Sequence, residues 1–143
     1  MIINHKYKFI FIKSFKTAGT STEIALSKFC DKNDIITPII KEDELIRTKL
    51  NYAGAQNYEG MDEHMSASNI KKKIDSNIFN NYFKFTNIRN PFEQIISAFY
   101  FHNESKKNDK KFFFFRKKPK KFNVFFKIKA QNIFEDAFNG YTE

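Results

Sequence analysis

A chain of 143 residues, 41% hydrophobic and 17% aromatic, is long enough to bury one core and is read as a single domain over 1–143. The 25 Lys and Arg against 16 Asp and Glu leave a formal charge of +9. That charge favours an anionic partner (a phosphorylated cofactor, an acidic glycan, nucleic acid or a membrane surface) without choosing among them. The single cysteine, Cys30, excludes an internal disulfide and a cysteine-based zinc site. No stretch approaches the roughly 20 apolar residues of a membrane span, and the N-terminus lacks the pattern of a signal peptide, so a soluble, cytoplasmic chain is expected.

Residues 7–13 read Tyr-Lys-Phe-Ile-Phe-Ile-Lys, a β-branched and aromatic run that predicts a buried strand. The run breaks at Ser14-Phe15-Lys16, and Thr20-Ser21-Thr22-Glu23 then predicts a capping box, with Thr20 as N-cap and Glu23 three residues on. Ile24, Ala25, Leu26 and Phe29 continue that helix, and Cys30 near its end is expected to be a packing residue. Ile35 to Ile40 form an apolar run in which Pro38 suits a strand end or an edge. The stretch 41–61 reads as mostly loop with a short helix over 42–49, after which Ser66 is an N-cap and Ile70 and Ile74 share a helix face ending in Lys71, Lys72 and Lys73.

A second strand is predicted over 81–89, and Asn90, Pro91 and Glu93 then stand at N-cap, N1 and N3 of a helix whose apolar face is Ile95, Ile96, Phe99 and Tyr100. Strand, loop and helix thus occur twice, which predicts an α/β fold with a parallel sheet and its chemistry at the C-terminal ends of the strands. The segment 105–121, rich in Lys and Phe, reads as a basic surface segment. A last helix is predicted over 124–138, with Asn139-Gly140 as its C-cap.

Backbone N–H groups at a helix start, with hydroxyls and a lysine beside them, make a phosphate site because donors and dipole point the same way. Residues 17–21 follow a strand and offer that geometry, but the Walker order is absent: Lys16 precedes the small residues, and Gly19 is the loop's one glycine. An ordinary kinase or GTPase is therefore set aside.

Lys16-Thr17-Ala18-Gly19-Thr20-Ser21 after a strand resembles the 5′-phosphosulfate loop of the sulfotransferases that include the heparan and chondroitin O-sulfotransferases, with their short bacterial and viral relatives. Phe85 to Phe92, continued through Ser97-Ala98-Phe99-Tyr100, resembles the 3′-phosphate-binding strand and helix of that family, and Glu63-His64-Met65-Ser66-Ala67 resembles its histidine segment. The resemblance implies a P-loop NTPase-like three-layer fold around a central parallel sheet. It also implies 3′-phosphoadenosine 5′-phosphosulfate (PAPS) as sulfuryl donor, no metal, and transfer to a hydroxyl or amine acceptor such as a glycan.

Carried over by position, Lys16 would neutralise the leaving phosphate, and Thr17, Ala18, Gly19, Thr20 and Ser21 would wrap the 5′-phosphosulfate. Arg89 and Ser97 would bind the 3′-phosphate, and His64 would be the general base. Ordinary roles stand beside these: Lys16 and Arg89 as surface cations, Ser97 as a small residue against the sheet, His64 as a cap or surface residue. His5 and His102 carry no motif. Family members continue past the last predicted helix, so the chain, which stops at Glu143, is expected to be C-terminally incomplete. Two other readings stand beside this one: a non-catalytic protein that keeps the PAPS site or only the fold, and a basic nucleic-acid-binding module using 106–121 with its interleaved aromatics, which would leave both strand–loop–helix motifs unexplained.

Overall fold

The structure, a computed structural model, describes residues 1–108. The helix expected over 124–138 lies outside the described residues, as does the basic segment from residue 109 onward. The described chain falls into two units, Met1–Ile88 and one that begins at Arg89.

In the first unit, β1 (Ile2–Asn4) and β2 (Phe9–Ile12) form an antiparallel hairpin, and β3 (Ile35–Ile36) pairs antiparallel with β1 on its other side. Only β4 (Phe83–Thr86) runs parallel to its neighbour, β2, in the register Phe9 opposite Phe83 and Ile12 opposite Thr86. The sheet order is β3-β1-β2-β4 and the sheet is mixed, which corrects the all-parallel arrangement expected from the two strand–loop–helix units. The reason is local: the Met1 end contributes a strand of its own, too short to show a period, and a turn over residues 5–8 returns it directly into β2.

Alternation along the strands divides the core between the two faces of the sheet. Ile3 and Ile10, with Ile12 and Ile35 beside them, pack against Met65, against Ile70 of the short helix α3 (Ala67–Lys73) and Ile74 just after it, and against Ile78 and Phe79 of α4 (Ser76–Asn81). On the opposite face Ile2, Phe11 and Ile36 meet Leu26 of α1 (Gly19–Ser27), with Cys30, Ala53 and Phe85. Helices therefore lie on both faces of the sheet in this unit. Helix α2 (Lys41–Lys49) carries Glu42, Asp43 and Glu44 in its first turn and Arg47 and Lys49 in its last, matched to the helix dipole. Ser66 caps α3, accepting from Asn69 N at 3.3 Å, as its position in the sequence predicts. Among the described residues no helix is long and apolar enough to cross a membrane.

Cys30 sits just past α1, where Asn4 Nδ2 lies 3.6 Å from its sulfur and the thiol faces Leu26 O at the same distance. Burial pushes the thiol up from 9.0 to about 11. At pH 8 that leaves roughly 100-fold less thiolate, an effect partly offset by the greater nucleophilicity of a more basic sulfur. Alkylation by iodoacetamide is expected to be at least about tenfold slower in the folded chain than in urea; equal rates would contradict a packed Cys30.

In the second unit the described element is α5 (Pro91–Asn108). Asn90 begins it as the sequence predicts: its Oδ1 accepts from Phe92 N at 3.0 Å, and Pro91 occupies the first helical position, where a missing N–H costs nothing. The apolar face is offset from the one predicted, since Ile95 and Ala98 are buried whereas Ile96 and Tyr100 are exposed.

Candidate functional site

The chain leaves β2 at Ile12 and turns through residues 13–18 into α1. Lys16 and Ala18 both have left-handed backbone, φ 59° and 62°, while Thr17 between them does not. For residues other than glycine this costs roughly 1–2 kcal/mol each, so something must impose it. Three contacts do. Thr17 Oγ1 donates to Ser14 O at 3.0 Å, closing the turn on itself. The Ser14 and Thr86 hydroxyls meet at 2.7 Å, tying the turn to the end of β4. Asn87, the residue after β4, donates to Thr17 O at 3.3 Å and to Thr22 Oγ1 at 2.6 Å, while Thr22 Oγ1 donates in turn to Ala18 O at 3.2 Å.

Helix α1 consequently starts at Gly19, with Ala18 as its N-cap and no side chain capping it. This corrects the expected capping box: Thr20 lies inside the first turn, and Glu23 faces the interior instead of reaching back to the helix start. The first-turn N–H groups of Gly19, Thr20 and Ser21 have no carbonyl within the helix to bond. Left-handed backbone at Lys16 and Ala18 leading into an uncapped helix start leaves the first-turn N–H groups as donors for an anion.

Beneath the loop lies a charged cluster that the sequence reading did not assign. Lys13, 4% exposed, directs its ammonium to Glu23 Oε2 at 2.7 Å and to Glu63 Oε2. The Met1 amine also meets Glu23 and donates to Thr37 Oγ1 at 2.6 Å. Gly19 makes room for this arrangement: a Cβ there would stand 2.6 Å from Lys13 Cγ, the stem of a side chain fixed at its far end by two carboxylates. Lys13 continues the alternation Phe9, Phe11, Lys13 of a buried strand, and a glutamate ten residues on was the only hint of its partner.

His64 stands on the rim of the same loop. Its Nδ1 is 3.1 Å from Lys13 O, its ring meets the Phe15 ring edge-on at 5.6 Å, and Lys16 Nζ lies 6.0 Å from that same Phe15 ring. The structure thus brings Lys16, Thr17, Ala18, Gly19, Thr20, Ser21 and His64 into one neighbourhood within the first unit. Thr17 is buried, Lys16 and Thr20 are half-buried, and Ala18 and Ser21 are exposed.

Arg89 and Ser97 belong to the second unit. Arg89 is exposed and its Nε lies 3.3 Å from Glu93 Oε2, one helical turn along, while Ser97 is half-buried two turns into α5. Asn87 is the positioning residue sequence reasoning passed over: it stood within the quoted strand motif, but nothing in that motif reveals a bond to a loop 70 residues away.

A family model described as "Sulfotransferase family" matches residues 1–139, nearly the whole chain and every residue of the candidate site. Neither the curated proteins nor the solved structures give a match. With that match spanning the strand, the loop and the helix that opens α5, the chain belongs to the sulfotransferase family.

Proposed function

We propose that the chain transfers a sulfuryl group from PAPS to a hydroxyl or amine acceptor, with the 14–21 loop as the site of the 5′-phosphosulfate. The observation that carries this reading is the left-handed backbone at Lys16 and Ala18, which presents the uncapped start of α1 to an anion. Bound PAPS supplies the chemistry: the acceptor oxygen bonds to sulfur as the bond from sulfur to the phosphate oxygen breaks, leaving adenosine 3′,5′-bisphosphate. The chain's residues position and neutralise. Lys16 places its cation where charge builds on the departing phosphate, and the N–H groups of the loop and of Gly19, Thr20 and Ser21 hold the phosphosulfate oxygens. Thr17 commits its hydroxyl hydrogen to Ser14 O, so what it offers an anion is its backbone N–H.

His64, with 37% of its side chain exposed, takes the acceptor's proton. Arg89 and Ser97 are assigned to the 3′-phosphate, the group that separates this donor from ATP; an arginine suits it through its planar fork of donors. The formal charge of +9 fits an acidic glycan as acceptor.

Titration calorimetry of the full chain with adenosine 3′,5′-bisphosphate and with ATP tests the donor assignment. At least tenfold tighter binding of the bisphosphate is expected, because one well-paired charged phosphate contributes about 1.5–3 kcal/mol. Equal or tighter binding of ATP, or no binding of either, would remove the PAPS assignment.

A further inference from the structure

Two carboxylate oxygens of one residue face in two directions beside the loop. Glu63 Oε2 meets the buried Lys13 ammonium, and Glu63 Oε1 lies 3.8 Å from His64 Nε2. The other ring nitrogen, Nδ1, is 3.1 Å from Lys13 O. A carbonyl oxygen can only accept, so this contact places the neutral ring's hydrogen on Nδ1 and the lone pair on Nε2. At 3.8 Å the carboxylate is too far to hydrogen-bond Nε2 and does not consume that lone pair, yet it is near enough to stabilise positive charge on the ring. Lys13 therefore bears on His64 twice: its carbonyl holds Nδ1, and its ammonium holds the carboxylate that faces Nε2. The Lys13 stem passes under Gly19 at the start of α1. The same buried lysine thus underlies both the anion loop and the histidine.

We propose that Glu63 is a positioning residue for His64: anchored by Lys13, it faces Nε2, the ring nitrogen that accepts the acceptor's proton, and stabilises the positive charge the ring then gains. The inference rests on the assignment of His64 as the base. In the transfer, the acceptor O–H bond breaks and its proton goes to Nε2, its electron pair staying on the acceptor oxygen, which bonds to sulfur; the bond from sulfur to the phosphate oxygen breaks, and its electron pair leaves on that oxygen of the departing bisphosphate. The ring then carries one positive charge facing Glu63 Oε1, and the proton is released to solvent through the exposed side of the imidazole. Glu63 touches neither donor nor acceptor in this arrangement and acts only through the ring.

Two measurements on the full chain test this without needing the acceptor. In nitrogen NMR of imidazole-labelled protein at pH 9, with the signals assigned by their loss in His64→Gln, His64 is expected to carry its hydrogen on Nδ1, the minor form of free histidine in water. A hydrogen on Nε2 in the unaltered chain would overturn the proposal by itself. Diethyl pyrocarbonate, which is attacked by a neutral imidazole nitrogen and leaves that ring positively charged, supplies the second readout. Peptide mapping should show the rate at His64 falling about fivefold in Glu63→Gln, with the rate at His5 unchanged. An unchanged His64 rate, or equal changes at both histidines, would show that Glu63 does not act on this ring. Because neither readout requires turnover or a bound nucleotide, they can fail while the bisphosphate titration succeeds, and the reverse.

Discussion

Replacing Lys16 with alanine is expected to lower sulfuryl transfer from PAPS by at least about 100-fold, the usual loss when one preorganised group facing developing charge is removed. Its effect on folding should be small. Lys16 is half-buried and its left-handed φ of 59° strains alanine as much as lysine, so the backbone term is common to both. The measurement is initial-rate conversion of PAPS to the bisphosphate, alongside a urea midpoint for each protein. Wild-type transfer in Lys16→Ala would sink the assignment of the loop, and a collapse of the midpoint would mean that the lysine serves the fold.

Glu23→Ala should give the opposite pattern of cause and effect. Glu23 is fully buried and its Oε2 lies 2.7 Å from the Lys13 ammonium. Its removal leaves a buried ammonium with only the half-exposed Glu63, and breaking a buried pair from one side costs about 3–5 kcal/mol. Against the roughly 5–15 kcal/mol that holds a small domain together, that loss lowers the urea midpoint severely and takes ligand binding with it. A midpoint within about 0.5 kcal/mol of wild type would mean that the cluster is solvated and does not organise the loop.

What the sequence made legible were features whose causes are close together in the chain. The strand over Phe9–Ile12, the cap at Ser66 and the Asn90-Pro91 start of α5 each depend on a few neighbouring residues, and each appears where composition and periodicity put it. The edge character of the Ile35–Ile36 strand followed from Pro38 in the same way. Failures came where a distant partner decides. Thr20 and Glu23 have the spacing of a capping box, but Lys13 and the Met1 amine draw Glu23 inward, and the helix begins without a side-chain cap. Asp75 capping α4 through Asn77 N at 2.7 Å was missed because the helix it starts is only six residues long.

For the candidate site, the residues of the loop could be named from order and type. The contacts that bend it, from Thr86 and Asn87, could not, since pairing between distant strands has no local signature.

The clamp between β4 and the loop bears on the order in which the molecule forms. Strands β1 and β2 meet across a short turn and can pair early, whereas Asn87 must find Thr17 across a sequence separation of 70, a closure that is entropically slow. The left-handed residues Lys16 and Ala18 are held in part by that late contact, so the anion loop is expected to be among the last features to form and among the first to open. A chain stressed by heat or denaturant would then lose its grip on nucleotide while its hairpin and helices still stand, making ligand affinity a more sensitive gauge of its integrity than helix content.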